Sequence, residues 1–143
     1  SSIKNEINIS YSSKRSSSDT FRIFDYDEEG HYFYTKSDSN PWLCIEFKNH
    51  KIKPTNYTIR SGNGSDNPRN FIFEGSNDNN SWIKLDEQKD CEFLKDSYSV
   101  HTFSVKNSDQ QSFKYLRIRL TGINWSGISR LQFSEIEIYG EIF

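Results

Sequence analysis

Residues 42–47 read WLCIEF, and their alternation decides the fold: Leu43, Ile45 and Phe47 fall on one side of an extended chain, Cys44 and Glu46 on the other. That is the two-residue period of a half-buried β-strand. The same signature recurs along the chain in both directions. A short strand is expected around residues 6–11, and further strands at 56–61 (NYTIRS), 70–75 (NFIFEG), 82–85 (WIKL), 100–105 (VHTFSV), 114–121 (KYLRIRLT) and 131–140 (LQFSEIEIYG). Turn-rich segments separate them at the spacing of a sandwich. The one helical expectation is a single turn through Phe24, capped by the side-chain oxygens of Ser16 to Asp19.

Composition agrees with an all-β reading. The 143 residues include no Ala and no Met, while 15% are aromatic, a balance that favours sheets over helices. A chain of this length buries a core as one domain, residues 1–143, and no apolar run is long enough to span a bilayer. The absence of Met at position 1 predicts an excised domain or a processed product of a longer, multidomain chain. Net charge is −2 with both signs interspersed, so nucleic acid is not an expected partner. Cys44 and Cys91 are compatible with free thiols or with one bridge. Five sequons, at Asn8, Asn56, Asn63, Asn79 and Asn124, are not evidence of secretion in a chain with 13 Asn and 28 Ser plus Thr.

Two local patterns carry finer expectations. In KYLRIRLT, Leu116, Ile118 and Leu120 share a face opposite Tyr115, Arg117 and Arg119; in the last strand Ile136 and Ile138 alternate with Glu135, Glu137 and Tyr139. If these two strands pair, the Arg and Glu rows face each other across the outer surface, for roughly 0.2–1 kcal/mol per pair. Residues 75–82, GSNDNNSW, read as a hairpin tip at Asn77 to Asn80, with Trp82 opening the next strand and packing into the sandwich. Nothing resembles a catalytic set: there is no nucleophile elbow or GxxxxGK loop, and His31, His50 and His101 show neither zinc spacing nor a triad.

Taken together, WLCIEF after an acidic turn, FEGSNDNNSWIKLDE in the middle and FKYLRIRLTGINWSG with LQFSEIEIYG at the end resemble the discoidin, or coagulation-factor type C, domain over about residues 7–140. The resemblance implies an eight-stranded antiparallel β-sandwich, a galactose-binding-like jelly roll that serves as a recognition module. Extracellular members clasp their two ends with a disulfide, and this chain has no Cys near either terminus. The form resembles the intracellular modules of protists, so an intracellular, cytoplasmic setting is expected.

Strand parity then places the loops. If each strand crosses the sandwich once, the connections at 25–36, 62–69, 86–99 and 122–130 gather at the pole away from the C-terminus, and those at 48–55, 76–81 and 106–112 at the terminus side. Related domains bind ligands at that distal pole, which makes His31, Tyr32, Phe33, Asn63, Arg69, Asn124, Trp125 and Arg130 the candidate ligand-binding residues. An aromatic ring with Arg and Asn suits a sugar, stacking one face and forking hydrogen bonds to hydroxyls; the same set suits a peptide or carboxylate. The competing structural role for Trp125 is to pack beneath its own loop. A structural calcium held by Asp25, Asp27 and Glu135 is a further candidate, by analogy with related folds. Docking on a bilayer through Tyr32, Phe33, Ile128 and Trp125 is disfavoured by Asp27, Glu28 and Asp66 beside them and by the acidic net charge. The expectation is therefore a non-catalytic module, with no cofactor beyond that calcium, binding a protein partner through the distal loops, with a galactose-like glycan as the alternative.

Overall fold

The computed structural model describes residues 6–15, 20–24 and 32–143. Ten strands run in order: β1 (Ile7–Tyr11), β2 (Phe33–Tyr34), β3 (Trp42–Phe47), β4 (Ile52–Arg60), β5 (Phe71–Ser76), β6 (Ile83–Gln88), β7 (Val100–Ser104), β8 (Tyr115–Leu120), β9 (Gln132–Phe133) and β10 (Glu135–Ile142). Eight of them form two antiparallel sheets, in the orders β1-β3-β8-β5-β6 and β10-β4-β7; β2 and β9 make a short separate ribbon. The two 3-10 turns, Thr20–Phe24 and Glu92–Leu94, are the helical elements among the described residues with a stated extent. No helix there is long and apolar enough to cross a membrane. The caps expected at Ser16 to Asp19 lie outside the described residues.

Alternation builds the core as expected. Leu43, Ile45, Phe73, Leu116 and Ile118 from the five-stranded sheet meet Tyr57, Ile59, Phe103 and Ile136 from the other, all at most 4% exposed. The Tyr57 ring lies 4.2 Å from Phe73 and 5.0 Å from Phe103, centroid to centroid, and so bridges the two layers. Its hydroxyl is buried too, and donates to Asp86 Oδ2 at 2.6 Å, the partner that a buried phenol needs. Burial together with that carboxylate drives its pKa far upward.

Four expectations are corrected. First, β8 does not pair with β10: it lies between β3 and β5, while β10 pairs with β4 in the other sheet, so Arg117 and Arg119 never face Glu135 and Glu137. Their partner is Glu74 of β5, a residue only 3% exposed, which accepts from Arg117 Nη2 at 2.6 Å and Arg119 Nε at 3.0 Å. Second, Trp82 is not in the core. It is half-buried on the outer face of the five-stranded sheet, its ring centroid 3.8 Å from the Arg117 guanidinium. Third, the strand expected at 56–61 begins at Ile52, with Pro54 tolerated because it sits at a bulge opposite Gly140. A Cβ on Gly140 would lie 2.1 Å from the Lys53 carbonyl oxygen, which is why that bulge needs glycine. Fourth, the segment 131–140 is split at Ser134, whose hydroxyl donates to the Ser61 carbonyl at 2.8 Å.

The tip at Asn77 to Asn80 is architecture. Ser76 Oγ donates to Asp78 Oδ1, which also accepts the amides of Asn80 and Ser81 at 2.9 and 2.8 Å; Asn79 takes the left-handed φ of 59°. Asn77 ties this tip to the 106–113 connection, accepting from the Lys114 amide and donating to Ser112 O. The terminus-side loops therefore share one pole. The remaining connections meet at the opposite one.

Candidate functional site

Three connections build the distal pole: 61–70 between β4 and β5, 89–99 between β6 and β7, and 121–131 between β8 and β9. Asn67, fully buried, joins them. Its Oδ1 accepts the Gly62 amide at 3.0 Å, its Nδ2 donates to the carbonyls of Gly64, Lys95 and Asp96 at 3.1–3.2 Å, and its own carbonyl accepts the Trp125 amide at 3.1 Å. Further ties run from Gly64 N to Ser97 Oγ at 2.9 Å, from Asn70 Nδ2 to Ile123 O at 3.0 Å, and between the Ser65 and Ser126 hydroxyls at 2.8 Å. The loops thus behave as one unit because each satisfies the other's backbone polar groups.

Trp125 is half-buried in this unit. Its indole N–H donates to the Cys91 carbonyl at 3.0 Å, fixing the ring plane. The Arg69 guanidinium lies 4.5 Å and the Lys95 ammonium 4.8 Å from the ring centroid, both within cation–π range. Arg69 is held in turn by Asp90, with Nε at 2.7 Å from Oδ1. Arg130 pairs with Asp66 at 3.1 Å, and Asn63 is exposed, its carbonyl accepting from Gln132 Nε2 at 3.1 Å. The pole therefore offers a pinned aromatic ring, two cations over it and exposed amide and hydroxyl groups.

Several expected site residues have other tasks. Asn124 is fully buried: its Oδ1 accepts the amides of Ser126 and Ile128 and its Nδ2 donates to Arg130 O, so its side chain staples the loop and leaves nothing for a ligand. Phe33, 1% exposed, packs on Phe133 and Tyr11 as core, which removes it from the candidate set. Tyr32 is half-buried, its ring 5.7 Å from that of Tyr34. His31, Asp25 and Asp27 lie outside the described residues. Glu135, the third expected calcium ligand, is 2% exposed with the Arg60 Nη1 4.0 Å from its carboxylate, so a protein cation already sits where that carboxylate would receive a divalent one; its fit to calcium is poor. Among the described residues no group of three His, Cys, Asp or Glu side chains could hold a metal ion.

The sequence reading missed Asn67 and Lys95. The only signal for Asn67 was the turn-forming run Asp66-Asn67-Pro68, and Lys95 sat unremarked in the 86–99 connection. Both cysteines are free and buried; Cys44 lies on the outer sheet face, its pKa pushed up to about 11 by burial, and Cys91, beneath Trp125, is raised by burial as well.

With this geometry in view, comparison with known proteins is informative. A family model, the F5/8 type C domain, matches residues 8–133. The E3 ubiquitin-protein ligase Ufd4 of Drosophila melanogaster is 32% identical over 114 residues, taking in 76% of this chain but only 4% of the ligase. Among solved structures, CpGH89CBM32-5 from Clostridium perfringens, in complex with GalNAc-β-1,3-galactose, has a TM-score of 0.71 at 15% identity, covering 96% of this chain and 97% of that one. A fucose binding module of Streptococcus pneumoniae gives a TM-score of 0.70 at 16% identity, covering 94% and 91%. At such identities the likeness fixes the fold alone. The family match covers most of the sandwich and all three loops of the distal pole, and the chain belongs to the F5/8 type C, or discoidin, domain family.

Proposed function

We propose that the chain is a non-catalytic recognition module that takes a sugar at the distal pole. The observation that carries this reading is Trp125, half-buried and pinned by its indole N–H to Cys91 O, with Arg69 and Lys95 over its ring and Asn63 exposed on the same pole. A pyranose presents an apolar C–H face and a rim of hydroxyls; the first suits the ring, the second suits guanidinium, ammonium and amide donors. Loops cross-tied through Asn67 hold these groups in place before the ligand arrives, which limits the entropy cost of binding. The fold likeness to modules solved with or named for sugars supports the same choice over the protein partner favoured by sequence.

A second reading has its own support. The 32% identity to the ligase Ufd4 favours a protein partner, with this chain as one module of a much longer protein. A glycan array probed with wild type, Trp125→Ala and Arg69→Gln separates the two, with circular dichroism to verify folding. Sugar binding should fall at least about tenfold in both variants, a loss of about 1.4 kcal/mol. A blank array, or binding that survives both substitutions, overturns the sugar reading and leaves the protein partner.

A further inference from the structure

The terminus-side pole carries two adjoining cavities of opposite character. One, of about 250 Å3, opens between the sheets where edge strands β1 and β10 leave them unpaired, and is lined mainly by Ile7, Phe24, Ile45, Phe47, Ile136 and Ile138, with Glu137 and Tyr139 completing it. The other, of about 410 Å3, is lined by Lys48, Asn49, His50, Lys51, Lys114 and Phe143 together with the same Phe47. Together they fall within the roughly 300–1,000 Å3 of small-ligand sites.

The second cavity is a local exception to the acidic net charge of the chain. Three lysines line it and, among the described residues, no Asp or Glu side chain does. Lys114 lies 3.4 Å from Glu46 Oε2, whereas Lys48 and Lys51 form no ion pair among the described residues. Its floor is firm: Lys51 and Phe143 exchange both backbone hydrogen bonds, at 3.0 and 2.9 Å, and the Phe47 amide donates to Lys114 O at 2.8 Å. An apolar slot thus adjoins a cationic mouth, with Phe47 in both walls.

We propose that this pole binds an anionic amphiphile, an unbranched apolar chain ending in a carboxylate, with the tail in the slot and the head among Lys48, Lys51 and Lys114. Charge complementarity selects the head, since Lys48 and Lys51, which form no ion pair among the described residues, favour an anion, with Lys114 shared between it and Glu46. The slot selects the tail. Its lining is mainly Ile and Phe side chains, which a methylene chain contacts without bringing in polar groups that need partners. The site is separate from the distal pole and does not depend on the sugar reading.

Titration of the whole chain with decanoate below its micelle concentration, followed by calorimetry and amide chemical shifts, tests this. Decanoate should bind with shifts at Phe47–Lys51 and Ile138, weaken as salt is raised, and lose about tenfold in affinity in Lys48→Gln/Lys51→Gln. Ile138→Trp, which fills the slot at a half-buried position, should abolish binding, and Lys84→Gln, a charge removed from a remote strand, should change nothing. Acetate and decanol, carrying head or tail alone, should each bind at least tenfold more weakly than decanoate. No binding, decanol binding equal to decanoate, indifference to the lysine pair, or shifts confined to the distal loops would each overturn the proposal. So would an acidic peptide that binds the lysines and is unaffected by Ile138→Trp.

Discussion

Replacing Asn67 by Ala should loosen two connections of the distal pole, 61–70 and 89–99, at once. The substitution removes the acceptor of the Gly62 amide and the donor shared by the Gly64, Lys95 and Asp96 carbonyls. Gly62 is buried, so its N–H is left dry, at about 1–3 kcal/mol. Lys95 and Asp96 are exposed and their carbonyls can turn to water, so each adds only about 0.5 kcal/mol. The sum is about 2–4 kcal/mol, which for a chain of this size lowers Tm by roughly 6–12 °C at about 3 °C per kcal/mol. Urea denaturation gives the free energy, and amide hydrogen exchange gives the location: Gly62, Tyr98 and Trp125 should lose protection while β5 and β8 keep theirs. Asn67→Asp should be no better tolerated, because an oxygen would then face three carbonyl oxygens. A loss under about 0.5 kcal/mol, or undiminished protection at Gly62, would refute the idea that this one side chain ties the 61–70 and 89–99 connections together.

Glu74→Ala should cost about 2–3 kcal/mol by urea denaturation, since it strands Arg117 and Arg119 on a mostly covered sheet face; a loss below about 0.5 kcal/mol would show that they rehydrate freely. The Ser81 and Asn80 amides hold the Asp78 carboxyl below its ordinary 3.8, so the stability it contributes is present above that value and lost as pH falls through the lower folded one. The stability gap between wild type and Asp78→Asn, measured from pH 6 down to pH 2, should therefore narrow on acidification; a constant gap would contradict the assignment. Cys44 and Cys91 should resist a thiol reagent such as DTNB at pH 8 in the native protein and react fully in urea, and fast native labelling of either would contradict their burial. Gly140→Ala should cost more than about 2 kcal/mol on thermal melting, because its Cβ meets backbone that cannot move without breaking the β4–β10 ladder; a neutral result would show that the bulge relaxes.

What was legible in the sequence was set by short-range periodicity. WLCIEF and KYLRIRLT announced their faces because a half-buried strand must alternate, and the parity of successive strands placed Trp125, Arg69 and Asn63 at one pole and the Asn77 tip at the other. Lateral order was not legible. Alternation shows which side of a strand is apolar but not which strand lies beside it, so Arg117 was matched to Glu135 and Glu137 rather than to Glu74, three strands earlier in the chain. Aromatic type misled in both directions: Phe33 looked like a ligand contact and is core, while Trp82 looked like core and covers Arg117 on the outside. Asn67 was missed because an amide that satisfies backbone groups across two loops leaves no spacing pattern in its own segment.

The most direct measurement is a chemical-shift map of the chain titrated with the glycan that scores highest on an array. If the distal pole is the recognition surface, perturbations will cluster at Gly62–Arg69, Asp90–Ser99 and Thr121–Arg130, with the Trp125 indole N–H among the largest, and they will vanish in Trp125→Ala. Perturbations centred on the Trp42 and Trp82 face of the five-stranded sheet, or on the lysines of the terminus-side pole, would place sugar recognition elsewhere on the sandwich.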